Sequence, residues 1–274
     1  LGVGDTVFAG TNDGRGLLAL DAENGAERWR YAPDDRTDVH APPCPVGDGR
    51  RVAVGTDRGR VAVLDAESGD PAWTFEVFGR VTKLAFSLKS LYVGTEGGEV
   101  YVLYEGGGLW RRKLGGSIEA LAVEGSSTVY AGTFGGGVYR LAGGAHAGRT
   151  RWRAAEGPTA HGALALADGI VVGTDLARAR GLHDRTGDVR WGVEGDFGAP
   201  PAASGALAYL GGKSGVVAVA LDGGVGVGDV RTNARQWTYA VDGAVLSGVT
   251  VADGALFFAT GGGDEGTPGI YALE

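Results

Sequence analysis

VAVGTDRGRVAVLDAESGDPAW, residues 52–73, breaks into three short apolar runs separated by turn residues. VAVGT and RVAVLD are rich in β-branched residues and only five or six residues long. A Gly-rich turn parts them, and a second turn at Glu67-Ser68-Gly69 leads into AWTFEV, residues 72–77. Runs of this length and composition between such turns predict the strands of an antiparallel meander. A Pro-containing segment upstream, ending at Gly47-Asp48-Gly49, supplies a fourth strand, so residues 40–77 read as one four-stranded unit.

The unit recurs along the chain. Its second run ends in Gly-Thr or a near equivalent at Gly10, Gly55, Gly94, Gly132, Gly173, Gly211 and Ala259, at intervals of 38 to 48 residues. A Trp follows in the fourth run at Trp29, Trp73, Trp110, Trp152, Trp191 and Trp237, at intervals of 37 to 46 residues. Two independent markers therefore keep one beat of about 40 residues, the period of a propeller blade. No segment holds a 3.6-residue period for three turns, which excludes a solenoid of helix pairs.

The prediction is an all-β chain: a seven-bladed β-propeller of four-stranded antiparallel blades, forming a single domain over residues 1–274. The units fall at 1–31, 40–77, 81–114, 117–154, 158–194, 200–241 and 244–274. One four-stranded sheet cannot bury both of its faces, whereas seven arranged radially bury one another's. The first unit writes its last turn as Asn24-Gly25, a short-hairpin signal. Each Trp is expected in the outermost strand, packed into the neighbouring blade. Arg28 and Arg30, Arg151 and Arg153, and Arg190 flank these Trp residues and so face outward on a solvated edge. The last unit stops at IYALE, the end of a third strand, and lacks its Trp-bearing outer strand. The expectation is that sequence upstream of Leu1 supplies that strand, or that it is absent; with no initiator Met and no signal peptide, the chain reads as a mature or trimmed fragment.

Composition narrows the function. Gly supplies 53 of 274 residues, but without a Gly-X-Y period, and 43% of the chain is hydrophobic, which together exclude collagen and disorder. The net charge is −8, so a nucleic-acid partner is not expected. Cys44 stands alone and no intrachain disulfide can form. No apolar run reaches the roughly 18 residues of a membrane span.

The pattern V-x-V-G-T-x-x-G-x-V-x-x-L-D-A-x-x-G-x-x-x-W, best seen at 7–29 and 52–73, resembles the pyrroloquinoline-quinone-like β-propeller repeat, also called quinoprotein-dehydrogenase-like or outer-membrane-assembly-lipoprotein-like. The resemblance covers essentially the whole chain and is specific for fold rather than function. It implies that dehydrogenase members carry eight blades, a vicinal disulfide, a Ca²⁺ site and a catalytic Asp. A single Cys makes the vicinal disulfide impossible here, so no catalytic residue is carried over and neither pyrroloquinoline quinone nor Ca²⁺ is expected as a cofactor. The resemblance also tilts the localisation towards an extracytoplasmic site.

Among other features, GVGVGDV at 224–230 lacks the strand-then-helix context of a dinucleotide fingerprint. Asp222, Asp229 and Asn233, and likewise Asp264 and Glu265, do not have the spacing of a Ca²⁺ loop. No two of the four His residues stand at zinc-motif spacing. The candidate pocket is axial: Arg36, Asp38, His40, Lys83, Glu119 and His161 lie near the starts of first strands, which line the central channel of a propeller. The leading functional reading is a non-catalytic scaffold that presents a loop face to a protein partner, in the cell envelope or as the sensor part of a larger chain. The alternatives are a quinone- and Ca²⁺-binding oxidoreductase-like protein and a small-ligand- or carbohydrate-binding propeller. Phe134 and Phe197, in turn-like contexts, are the aromatics to examine for the last.

Overall fold

The computed structural model describes the chain except residues 35, 126–127, 136, 144–146, 155–163, 175–176, 223–234, 242, 246, 253, 262–267 and 274. The described residues form 27 strands and no helix, so none is long and apolar enough to cross a membrane. The strands fall in seven antiparallel sheets. The first holds β1 (Gly2–Val3), β2 (Thr6–Gly10), β3 (Leu17–Asp21) and β4 (Glu27–Tyr31), hydrogen-bonded in chain order. The second holds β5 (Cys44–Val46), β6 (Arg51–Gly55), β7 (Arg60–Asp65) and β8 (Pro71–Glu76). The third holds β9 (Val81–Ser87), β10 (Ser90–Thr95), β11 (Glu99–Tyr104) and β12 (Gly107–Lys113), and the fourth β13 (Ile118–Glu124), β14 (Thr128–Thr133), β15 (Gly137–Ala142) and β16 (Thr150–Ala154). The fifth holds β17 (Leu164–Ala167), β18 (Ile170–Thr174), β19 (Arg178–His183) and β20 (Val189–Glu194). The sixth holds β21 (Ala202–Ser204), β22 (Leu207–Gly212), β23 (Gly215–Ala220) and β24 (Arg235–Tyr239). The seventh has three strands: β25 (Thr250–Ala252), β26 (Ala255–Thr260) and β27 (Gly269–Leu273). These are the seven blades of a β-propeller, the last of them one strand short, as the repeat predicts.

The repeated motif has a local cause at each of its fixed letters. In L-D-A-x-x-G, Asp21 Oδ1 accepts the N–H groups of Glu23 at 3.0 Å and Asn24 at 3.1 Å. The N–H of Gly25 donates to the Asp21 carbonyl at 2.9 Å, and that of Asp21 to the Ala26 carbonyl at 2.8 Å. The hairpin is thus a four-residue loop rather than the two-residue turn that Asn-Gly suggests. Only Gly25, at φ +76°, needs the left-handed region, and the Asp carboxylate holds the preceding amides. Asp65 repeats the arrangement with Glu67 and Ser68, both at 2.9 Å. In the fifth blade His183 takes the place of the Asp, its Nδ1 accepting the N–H of Arg185 at 3.2 Å.

The Gly of Val-Gly-Thr answers to a different constraint. A Cβ on Gly55 would lie 2.3 Å from Val81 Cγ1, one on Gly94 2.5 Å from Ile118 Cγ2, and one on Gly10 2.7 Å from Val39 Cγ1. Each contact is with a β-branched residue leading into or beginning the first strand of the following blade, so this Gly leaves room for the next blade to pack against its strand.

By its contacts the chain divides into two compact units: Leu1–Val129 with Leu141–Arg149, and Tyr130–Arg140 with Thr150–Glu274. In the first unit, one core layer joins Phe8, Leu17 and Ala19 to Val52, Val54, Ala62 and Leu64, and the next joins Ala53, Val61 and Val63 to Leu91, Val93, Tyr101 and Leu103. In the second unit, Val172, Ala179 and Trp191 pack on Ala208, Leu210 and Val219, and Val216 packs on Val245, Leu256 and Phe258. Every layer lies between consecutive sheets, as period-2 strands with two apolar faces require. Cys44, half-buried at the edge of one layer, has its thiol pushed up to about 11 by burial.

Candidate functional site

Asp38 and Arg36 sit in the segment that leads into β5. The Asp38 carboxylate accepts the N–H of Gly14 at 2.9 Å, and its carbonyl accepts the N–H of Asp57 at 3.0 Å. Asp38 therefore ties the β2–β3 turn of one blade to the β6–β7 turn of the next. Arg36 is exposed and lines an open depression of about 520 Å³ with Pro33, Asp34 and Arg58. His40 is exposed. Lys83 in β9 and Glu119 in β13 are both half-buried, on first strands that pack against each other. Burial holds the Lys83 ammonium below its ordinary value, and the Glu119 carboxylate partly offsets that shift. Of the six axial candidates the structure brings Lys83 and Glu119 together. Among the described residues no hydrogen bond or ion pair joins Arg36, Asp38 or His40 to them. His161 lies outside the described residues, as do Asp229, Asn233, Asp264 and Glu265. Among the described residues no three His, Cys, Asp or Glu side chains stand together as metal ligands would.

The Lys83 shift carries a sign. Between its lowered folded-state value and the ordinary 10.5, the unfolded chain holds more protons than the folded one, so stability rises with pH across that window. The contribution is complete above 10.5 and is lost as pH falls through the folded value. Lys83→Met should flatten the rise, and Glu119→Gln should extend it to lower pH. Denaturation midpoints taken from neutral pH to 10.5 read both; parallel profiles for the wild type and Lys83→Met would show that Lys83 is not held below its ordinary value.

The repeat Trp residues occupy the outer strands. Trp29 Nε1 donates to the Ala66 carbonyl at 3.2 Å, Trp152 Nε1 to that of Asp184 at 2.7 Å, and Trp191 Nε1 to that of Leu221 at 3.1 Å. In each case the acceptor is the residue directly after the third strand of the next blade. Trp191 is fully buried, Trp29, Trp73, Trp110 and Trp152 are half-buried, and Trp237 is 38% exposed. Arg28, beside Trp29, pairs with Asp5 at 2.9 Å and Asp21 at 2.6 Å on the solvated side.

Phe197, which the sequence places in a turn-like context, is buried against the layer containing Trp191. Phe134 is exposed in the β14–β15 turn. Two further surfaces escaped sequence reading. Phe78, after β8, is 75% exposed while its own N–H donates to the buried Tyr101 hydroxyl at 3.1 Å, which pins the loop. A cleft of about 410 Å³ between the second and third blades is lined by Asp48, Arg51, Trp73, Leu88, Lys89 and Tyr104. Apolar and polar letters alternate through loops and strand ends alike, so nothing in the local sequence distinguishes a Phe that points to solvent from one in the core.

Comparison with known proteins agrees with this geometry. A family profile described as outer membrane protein assembly factor BamB matches residues 13–103 and 82–274. BamB from Moraxella catarrhalis superposes with a TM-score of 0.71 at 21% identity, over 94% of this chain and 77% of that one. The computationally designed Ika8 protein superposes with a TM-score of 0.77 at 20% identity, over 100% of this chain and 82% of that one. None of the curated proteins matches the chain.

Proposed function

Because the chain belongs to the family described as outer membrane protein assembly factor BamB, we propose that it is a non-catalytic scaffold that presents a loop face to a protein partner in the bacterial cell envelope, within the assembly of outer membrane proteins. The observation that carries the reading is Phe78. An aromatic ring 75% exposed, on a loop held by the Tyr101 hydroxyl, leaves most of its apolar surface in water. Large rigid aromatics of this kind are the common anchors of protein interfaces. Phe134, at the same end of its own sheet as Phe78 is of its sheet, adds a second exposed ring.

The test is capture from cell-envelope extract with the wild type and with Phe78→Asp. A protein retained by the wild type and lost from Phe78→Asp, at an unchanged melting temperature, is the expected result. Equal retention by both removes Phe78 from the interface and the reading with it. Titration with pyrroloquinoline quinone and Ca²⁺ is the companion measurement: saturable binding at micromolar affinity or better would replace the scaffold by a cofactor-binding protein.

A further inference from the structure

The third blade departs from the repeat at its last hairpin. Leu20 to Trp29, Leu64 to Trp73 and Leu182 to Trp191 span the same length, whereas Leu103 to Trp110 is two residues shorter. Tyr104 takes the place of the motif Asp and pairs with Gly107, so Glu105-Gly106 alone turn the chain. The longer loop of the other blades covers the Trp of the blade before it. A Cβ on Gly69 would stand 2.7 Å from the Trp29 ring, and one on Gly187 2.7 Å from the Trp152 ring, so those loops lie across the indole. The nearest atom to a Cβ on Gly106 is Trp73 Cβ, at 3.2 Å, so the short turn stops at the base of the indole. The carbonyl acceptor is lost with the loop: Trp73 Nε1 has no partner among the described residues and is not buried.

The first hairpin of the same blade departs as well. Its turn residue Leu88 holds φ +55°, where the equivalent turns use Gly4 at +58°, Gly125 at +58° and Gly205 at +56°. A side chain disfavours that conformation, and Leu88 is 68% exposed, so burial of its own side chain does not offset the strain. Glu105, in the last hairpin, stands at φ +46°. Both departures border one place, the cleft of about 410 Å³ between the second and third blades. Trp73 and Tyr104 give it aromatic walls. Arg51 and Lys89 give it two exposed cations that form no hydrogen bond or ion pair among the described residues. Asp48, paired with Arg50 at 3.2 Å, and the exposed Glu105 add carboxylates.

We propose that this cleft binds an acidic saccharide through a hexuronate unit, with the sugar ring against Trp73 and Tyr104 and its carboxylate on Arg51 and Lys89. A concave site of this size with aromatic walls and a few polar groups suits a small ligand. The negative faces of the aromatic rings match the polarised C–H bonds of a sugar ring. The unused Trp73 N–H donates to a ring hydroxyl or ether oxygen, and Asp48 and Glu105 accept from hydroxyls. The mixed lining sets the class. An acidic peptide would use the cations but be repelled by Asp48 and Glu105, and a neutral sugar would leave Arg51 and Lys89 without a counter-charge. The proposal goes beyond the loop-face reading and rests on different residues: Phe78→Asp leaves the cleft intact, so failure at one site leaves the other standing.

The probes are the disaccharides of galacturonate and of glucuronate, each titrated into the 274-residue chain. The readout is the indole N–H resonance that vanishes in Trp73→Phe. The expected result is a saturable shift of that resonance by one of the two, at millimolar affinity or better. Lys89→Glu, and lactose in place of the uronate, should each weaken binding by about tenfold or more. Replacing Tyr104–Gly107 by the sequence of Asp65–Asp70 restores the longer loop, and should abolish binding while returning a carbonyl acceptor to Trp73 Nε1. Lys89 is exposed, so Lys89→Glu should keep the wild-type melting temperature and decides the matter even if the loop graft does not fold. No shift at about 50 mM of either uronate overturns the proposal, as does equal binding of lactose. A shift of the same resonance by hexaglutamate or inorganic phosphate at lower concentration than by either uronate also overturns it, and would assign the cleft to an acidic polypeptide or to a bare anion.

Discussion

Trp191→Ala should lower stability by about 3–5 kcal/mol, several times the loss at Trp237→Ala, which is expected to stay below about 2 kcal/mol. Both residues hold the repeat position of their blades, so propensity and register are matched and only the surroundings differ. Trp191 is fully buried. It gets there because its cross-strand partner is Gly181, where the other blades with that register carry Ala or Val; a Cβ on Gly181 would lie 2.3 Å from the indole. Burying such a ring removes roughly 150–250 Å² from water, or about 4–6 kcal/mol as an upper bound at about 25 cal/mol/Å². Its Nε1 also satisfies the Leu221 carbonyl at 3.1 Å, which Ala would leave without that donor. Trp237 keeps its contact with Tyr209 but lines an open groove. Paired urea denaturation of the two variants decides the matter, and equal losses would mean that the blade position, rather than burial, sets the contribution. Trp191→Phe separates the two parts: it keeps most of the apolar area and should lose about 1–2 kcal/mol for the missing donor.

The blades could be read in the sequence because their determinants are local and repeat. The Asp and Gly of the first two third-to-fourth-strand loops act within six residues, as Asp21 and Gly25 do, and the Trp returns on the same beat in every complete blade. The third strand of the last blade could be read for the same reason, since IYALE occupies the place of LLALD. Exposure was not legible. Phe257 and Phe258 are adjacent and chemically identical, yet Phe258 is buried against Val245 and stacks on Tyr271 at 5.1 Å, while Phe257 waits on the other face of the strand. Which face of a strand is covered depends on the neighbouring sheet, information that lies some 40 residues away or outside the blade altogether. The axial pocket met the same obstacle. Lys83 and Glu119 meet because consecutive first strands pack together, whereas Asp38, equally close to a strand start, spends its carboxylate on a neighbouring turn.

Gly55→Val should be strongly damaging, at about 3 kcal/mol or more. The backbone there needs no left-handed conformation, so the cost is steric. Even the first added carbon would stand 2.3 Å from Val81 Cγ1 and 2.6 Å from Val81 Cβ, and Val81 is fully buried at the start of β9 with no room to retreat. Separating the sheets to relieve the clash would open the layer formed by Val61, Val63, Leu91 and Val93, so the strain spreads through contacts that are themselves close-packed. Gly25→Ala makes the contrast. It has open space around the new methyl group but a φ of +76°, and its penalty of about 1 kcal/mol is a backbone term that no neighbour can relieve. The two mechanisms separate in a double-mutant cycle. Val81→Gly removes the side chain that Gly55→Ala strikes, so the pair should be less damaging than the sum of the singles by about 1 kcal/mol or more. Gly25→Ala should add to Val81→Gly within about 0.5 kcal/mol. Strict additivity of Gly55→Ala with Val81→Gly in chemical denaturation would show that the repeat Gly is kept for a reason other than the approach of the next blade.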